Sequence, residues 1–525
     1  MFASALAILA LRNLDPIIHP VVYTEDGLWA GQILQDGIFQ TCLTAKGSYL
    51  VVGNILLLGL SLGISFLISG NFLLQLPQSI AIVSYAYFAF VATIAYVASR
   101  KFLGRTTSIS LYLCILLVPL GTSQNEIFGR ISNIGYIVPI LLCAILIIRT
   151  YSHRTSSRFL ADLGCLLCIV TNPFCLIMIP AYIATLVYLE LRSTQAIDYK
   201  LKFTFFGNAL KAVLAKNVLP VTFFLGLAIP LLLGSAQTVT HNVNPFDRGK
   251  TGMAVLGRMI AYPFVFPIYT QMNNMASFFF DLVLFAFLTF IFKKSRSFSD
   301  RLAIALSFAF FVAYSLATLV FRPLLPYQLG FYGNTFPDRY FMAPNLLIMF
   351  AFLISATIPG SSGTAIASKF ARLALLAVGI VYFLSLGNLF ETDKTRFEIR
   401  AAGTLFENLT EFAVTKNGLS SITTSEGWHM LVPERYLPAM PISKGVLSYP
   451  LSNARFVNGI NVMEKTIVFK NTETNLRLLE TARYFSTKSA GARVRSIEIE
   501  TEFLFVEFDG DVLPFAYPNR LVPGQ

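Results

Sequence analysis

The chain has 525 residues, 55% of them hydrophobic and only 13% charged. A soluble globular chain of this length carries about 25% charged residues, so a purely aqueous fold is excluded and the chain belongs in a bilayer. The net charge of +12 lies in residues 1–390, because residues 391–525 hold 16 of the 28 acids and 15 of the 40 bases; an excess of Lys and Arg in a membrane-spanning part is what cytoplasmic loops carry, so nucleic-acid binding is not its explanation.

A helical span of a bilayer needs about 20 apolar residues. The first apolar run, 1–12, is short, and no small-residue cleavage site precedes the acids that follow, so it reads as a retained first span. Next comes TEDG, residues 24–27, in which Glu25 and Asp26 stand side by side with only Asp36 as a further acid before Glu126. Residues 24–46 place Leu28, Ile33, Leu34 and Ile38 among polar residues, a pattern of short helices lying in the membrane interface with Trp29 as anchor.

Apolar segments follow at about 48–69, 79–98, 106–120, 133–149, 159–171, 174–191, 217–234, 276–292, 302–320, 341–358 and 373–390. They predict an all-α polytopic membrane bundle of eleven to thirteen transmembrane helices over 1–390, followed by a C-terminal α+β domain over 391–525. Basic clusters at Arg100–Arg105, Arg149–Arg158, Arg192–Lys216, Lys293–Arg301 and Lys369–Arg372 mark cytoplasmic loops. The outside then holds 121–132, the TNP break at 171–173, 235–275, 321–340 and the tail. Within 251–275, Met253, Leu256, Met259 and Ile260 repeat the interfacial pattern. In the tail, 391–412 reads as helical, whereas KTIVFK, TARYFST, ARVRSIEIE and EFLFVEF read as strands, the last ending at the turn Asp509-Gly510-Asp511.

The acid pair has two readings. It caps an interfacial helix, or one carboxylate takes the proton of a hydroxyl while a departing phosphate carries charge away and the other acid orients it. A phosphate leaving group needs cations, and the outside loops offer Arg130, Arg248, Lys250, Arg258, Arg322 and Arg339. Arg339 stands in FPDRYF between Asp338 and Tyr340, and Arg248 stands in NPFDRGK beside Asp247 and Lys250. The turn SQNEIFGRISNIGY gathers Asn125, Glu126, Arg130 and Asn133, groups suited either to sugar hydroxyls or to helix capping. The six cysteines all lie at or before Cys175, and Cys165 and Cys168 read as helix filling. The four histidines have no metal-ligand spacing, and no phosphate-cradling glycine loop, GxSxG or HExxH occurs, so neither a metal nor a cofactor is expected.

Together these motifs resemble the GT-C superfamily of membrane glycosyltransferases. More narrowly, EDG, the following GSYLVVGN, NEIFGRISN, the NPF break at 172–174 and DRYF at 338–341 are similar to bacterial and phage O-antigen-modifying glucosyltransferases that cause serotype conversion. The resemblance implies transfer of a sugar, glucose by expectation, from undecaprenyl phosphate to O-antigen or another lipid-linked glycan acceptor on the periplasmic face. Asp26 or Glu25 is the implied base. The implied setting is the bacterial inner membrane, with membrane lipids as partners, the C-terminal domain in the periplasm and no nucleic acid bound. Activity insensitive to chelators is the corresponding expectation. Two rival readings differ in where polar groups should fall. An O-antigen polymerase or ligase places its catalytic groups in later loops, and a flippase or transporter places acids within spans, for which Asp162 and Asp281 are the candidates.

Overall fold

The computed structural model describes residues 1–18, 20–46, 49–120, 124–193, 201–234, 248–294, 298–321, 338–357 and 365–385. In the tail it describes 411–414, 419–423, 429–433, 436, 466–470, 484–486, 491–499, 503–508 and 520–522. The first half runs α1 (Phe2–Arg12), α2 (Asp15–Ile18), α3 (Thr24–Thr44), α4 (Val52–Ser69), α5 (Leu76–Ser99), α6 (Arg105–Leu117), α7 (Gln124–Ile127), α8 (Val138–Tyr151), α9 (Thr155–Thr171) and α10 (Met178–Ser193). It continues through α11 (Leu201–Lys216), α12 (Val218–Gly234), α13 (Arg248–Met259), α14 (Tyr262–Val265), α15 (Asn274–Lys294), α16 (Phe298–Phe321), α17 (Met342–Thr357) and α18 (Ala365–Leu384). Each apolar segment read from the sequence contains a helix, although some described residues at segment ends, such as 118–120 after α6, are not helical.

Among the described residues six helices are long and apolar enough to cross a bilayer: Val52–Ser69, Leu76–Ser99, Pro173–Leu191, Asn274–Lys293, Asp300–Val320 and Arg339–Thr357. Shorter apolar helices cover Phe2–Arg12, Arg105–Leu117, Val138–Tyr151 and Leu373–Leu384. The chain is thus a multi-pass helical membrane protein. Its core is built around α17, whose residues Met342 to Ala356 are all buried. A helix apolar on every side has no face to give to water and packs on all sides, here against α6, α15, α16 and α18.

One stretch read as a basic loop is helical. α11 turns Ala209 and Val213 inward and leaves Lys211 and Lys216 exposed, so its charge is the solvated face of an amphipathic helix. It meets α12 at 85° across Asn217. α3 is likewise not one straight rod. Gly37 sits at φ 83°, a backbone state open to glycine, and the chain folds back there. Trp29, expected as an anchor in the membrane interface, is instead packed inside the protein at 2% exposure, and its indole N–H donates to the Ala45 carbonyl across that fold at 3.3 Å.

The described tail residues form two antiparallel sheets, β1 (Glu411–Val414), β2 (Leu419–Thr423) and β3 (His429–Pro433) in the first, and β4 (Thr466–Lys470), β5 (Tyr484–Ser486), β6 (Gly491–Ile499), β7 (Phe503–Phe508) and β8 (Arg520–Val522) in the second, ordered β4-β7-β6-β5-β8. The four strands expected after residue 465 are present. Of the segment 391–412 read as helical, 391–410 lies outside the described residues, while Glu411 and Phe412 begin β1 because they pair with Thr423 and Ile422. β3 packs on α3 with Met430 and Val432 fully buried, and the Asn71 amide between α4 and α5 donates to the Tyr436 carbonyl at 3.1 Å.

Candidate active site

Motifs far apart in sequence meet on one short segment, Ile131–Tyr136, between α7 and α8. Its approach is rigid: Gly129 takes φ 75°, and Pro16 occupies the space a side chain there would need. Phe128 is buried between Phe88 and the Arg12 guanidinium, with ring and charge 5.1 Å apart. Arg12, itself 1% exposed, donates to the carbonyls of Leu116 and Val118, both at 2.6 Å, and to Gln124 Oε1 at 3.2 Å. These contacts satisfy the carbonyls that α6 leaves open at its C-terminal end.

The segment's backbone groups then go to the motif side chains. Asn54, at the start of α4, donates to the carbonyls of Ile131 at 2.7 Å and Ser132 at 3.1 Å. Asn172, the break before the Pro173 turn, donates to the Gly135 carbonyl at 2.7 Å and to the Tyr314 hydroxyl at 3.2 Å. Thr171 Oγ1 accepts from the Gly53 N–H at 2.9 Å, and Ser84 donates to the Arg130 carbonyl at 3.2 Å. Tyr136 meets Tyr340 edge-to-face at 5.4 Å. So EDG, VVGN, the Asn-Glu turn, TNPF and DRYF converge on one place in the fold.

Asp26 closes this set. Its Oδ1 accepts from the Ser132 N–H at 2.6 Å and its Oδ2 from the Ile131 N–H at 3.2 Å, with the carboxylate fully buried. Burial pushes its pKa up to about 7; the Ser132 N–H, the Arg130 charge and the Ile131 N–H oppose that rise, and Glu25 adds to it. Arg130 is itself 4% exposed, donates to the Val21 carbonyl at 2.8 Å and lies 4.8 Å over the Tyr23 ring, which ties the turn to the strand of chain entering α3. Asp26 and Arg130 therefore hold α3 against the Ile131–Tyr136 segment from both sides.

Glu25 is placed differently. Its side chain is 41% exposed, and its Oε1 lies 3.1 Å from the ammonium of Lys46, which is 32% exposed and 5.6 Å over the Trp29 ring. In a straight helix residues 25 and 46 stand roughly 30 Å apart. The fold at Gly37 brings them together. Lys46 thus joins the acid pair although nothing adjacent in sequence links them; the Asp36-Gly37 dipeptide, a turn signal, is the clue that points to it.

Arg339 and Tyr340 lie half-buried in the 3₁₀ turn Asp338–Phe341 that opens α17, the guanidinium 5.2 Å over the Tyr340 ring. Arg248 and Lys250 begin α13, Asn125 and Glu126 lie in α7, and Asp338 starts the 3₁₀ turn; the side chains of these five are outside the described residues, as is Arg322. Arg258 is fully buried and stacks on Tyr262 at 3.2 Å. Of the acids within spans, Asp162 is bound to Arg149 at 2.5 Å. Asp281 is 3% exposed in α15, and its carboxylate has no hydrogen-bond partner among the described residues.

No protein-family model matches the chain, and no curated protein matches it. Solved structures similar to it include the Archaeoglobus fulgidus oligosaccharyltransferase in the apo form, with TM-score 0.42 and 14% identity over 86% of this chain and 61% of that one. The same enzyme tethered to an acceptor peptide through a disulfide gives TM-score 0.39 and 13% identity over 78% of this chain and 57% of that one. The archaeal oligosaccharyltransferase AglB from that organism, in complex with an inhibitory peptide and a dolichol-phosphate, gives TM-score 0.39 and 13% identity over the same shares. This chain spans less than two thirds of the length of these structures.

Proposed function

We propose that the chain is a membrane glycosyltransferase of the GT-C type, moving a sugar from a polyprenyl phosphate to an acceptor hydroxyl, with Glu25 as the general base and Asp26 as the residue that positions it. The observation that carries this reading is the division of labour in the acid pair. One carboxylate is buried and committed to two backbone N–H groups, while its neighbour is 41% exposed beside a cation at the end of a rigid scaffold.

In the proposed step the acceptor oxygen attacks the anomeric carbon as the bond from that carbon to the phosphate oxygen breaks. The electron pair leaves on the polyprenyl phosphate, and the hydroxyl proton passes to Glu25. Positioning and charge stabilisation supply most of the acceleration, because the sugar passes through an oxocarbenium-like state. Arg339 and Tyr340, with Arg248, Lys250, Asn125, Glu126 and Asp338, remain the proposed contacts to donor phosphate and sugar. Undecaprenyl phosphate as carrier, glucose as sugar, O-antigen as acceptor and the periplasmic face of a bacterial inner membrane as the setting rest on the motifs shared with serotype-converting glucosyltransferases.

The test is donor choice. Full-length protein in proteoliposomes is given undecaprenyl-phosphate glucose or UDP-glucose, each labelled in the sugar, with lipopolysaccharide as acceptor and with or without EDTA. Label entering lipopolysaccharide from the lipid donor alone, undiminished by EDTA, supports the reading. Transfer from the nucleotide sugar alone overturns it.

A further inference from the structure

The ion pair between Glu25 and Lys46 poses a chemical difficulty for a base. The carboxylate oxygen that should accept a proton already accepts a hydrogen bond from an ammonium 3.1 Å away. The same contact suggests how it is released. An ammonium has three N–H donors, Glu25 uses one, and Lys46 is 32% exposed, so the cation has capacity and access for a further anion. A phosphate, with more oxygens and more charge than a carboxylate, competes for it effectively. Lys46 also stands six positions before α4, a helix long and apolar enough to span the bilayer, which sets its ammonium near the level of a lipid phosphate. Its perch over the indole of Trp29 gives the ammonium a second resting place that does not depend on Glu25.

We infer that Lys46 is a phosphate contact for the lipid-linked donor, and that donor binding draws the ammonium away from Glu25, removing this one contact from the carboxylate proposed to take the acceptor proton. This rests on the polyprenyl-phosphate donor proposed above. A pair this exposed contributes little to stability.

The test reads binding without sugar transfer, so it separates from the transferase reading. Binding is read as the ligand-dependent rise in melting temperature, a signal that does not need Lys46 to be present. Full-length protein in phosphatidylcholine nanodiscs is titrated with undecaprenyl phosphate, and in parallel with phosphatidylglycerol and with inorganic phosphate. A saturable change with undecaprenyl phosphate alone is expected. Lys46→Gln should weaken it at least tenfold, Lys46→Arg by less than about threefold because the charge is kept, and Glu25→Gln should leave it equal or tighter because the competing carboxylate is gone. Equal responses to phosphatidylglycerol or inorganic phosphate overturn the assignment to the lipid donor. Unchanged binding in Lys46→Gln, or equal weakening in Lys46→Gln and Glu25→Gln with unchanged melting of the ligand-free protein, overturns the phosphate contact. If these binding results hold while no sugar is transferred from any donor, the transferase reading fails and the phosphate site stands.

Discussion

Two buried polar clusters lie at opposite ends of α8, about 20 Å apart by the rise of its residues. At one end Arg149, 6% exposed, donates to Asp162, to Asn217 Oδ1 at 2.5 Å and to the Lys216 carbonyl at 3.0 Å, while the Asn217 amide donates to the Val213 carbonyl. Charge meets charge and amide meets carbonyl, with nothing turned outward. Asn217 is also the point where α11 and α12 bend apart, so this cluster mends a break in the helical hydrogen bonding. At the other end the acid beside the Ile131–Tyr136 segment binds backbone, and its neighbour Glu25 is partly exposed beside the ammonium of Lys46. The difference teaches how to tell polarity that holds a fold from polarity that serves a substrate. The first kind is closed; the second keeps one exposed edge on a closed foundation.

That contrast breaks most visibly at Glu25. Glu25→Gln removes the proposed proton acceptor but leaves the foundation intact, so kcat for sugar transfer should fall by about 10²–10⁴-fold, the usual worth of a general base, with melting unchanged. Arg149→Met at the closed end should do the reverse. It strands the Asp162 carboxylate, costing about 3–5 kcal/mol of stability, while the KM for donor stays as in the wild type once the protein is folded. Calorimetry and donor titration of the two variants give opposite patterns if the comparison is right. Between them falls Asn54→Ala, which leaves two buried carbonyls of the Ile131–Tyr136 segment without their donor. About 1–3 kcal/mol of stability should be lost, with a smaller drop in kcat than at Glu25 because the base is loosened and not removed.

A further effect is a dependence on pH. Asp26, pushed up to about 7, keeps its proton in the folded protein between about 4, where an unfolded carboxyl ionises, and 7. The folded state binds more protons than the unfolded state across that window, so the Asp26 contribution to stability is present at low pH and is lost as pH rises towards 7. Asp26→Asn should remove this slope from a series of melting curves taken between pH 5 and 8, and an unchanged slope would place the titration elsewhere.

Much of this was legible in the sequence, for physical reasons. Runs of apolar residues long enough for a bilayer can only be helices there, because lipid offers no partner for backbone groups, so the span positions followed directly. The acid pair stood out because carboxylates are scarce in residues 1–390. What the sequence hid is the convergence. Asn54 and Asn172 sit in or beside apolar spans, where a polar side chain signals a tertiary partner without naming it. That the partner is the backbone of residues 131–135 depends on packing between helices, which periodicity does not encode. Lys46 was missed because its nearness to Glu25 depends on one residue, Gly37. Trp29 was misplaced for the same reason: the fold at Gly37 covers the face that an open interfacial helix exposes. The lysines of α11 alone give the pattern of a loop; its inward row, Ala209 and Val213, is what marks an amphipathic helix.

The central claim is that Glu25, carried on the scaffold Asp26 helps to hold, takes the proton in sugar transfer from a lipid-linked phosphate. Single-turnover transfer of labelled glucose from undecaprenyl phosphate to lipopolysaccharide, followed in proteoliposomes for wild type, Glu25→Gln and Asp26→Asn, addresses it most directly. The account predicts a product-forming rate lowered at least a hundredfold in Glu25→Gln and to a lesser degree in Asp26→Asn, with both proteins still binding undecaprenyl phosphate. A Glu25→Gln variant that transfers sugar at the wild-type rate would contradict it.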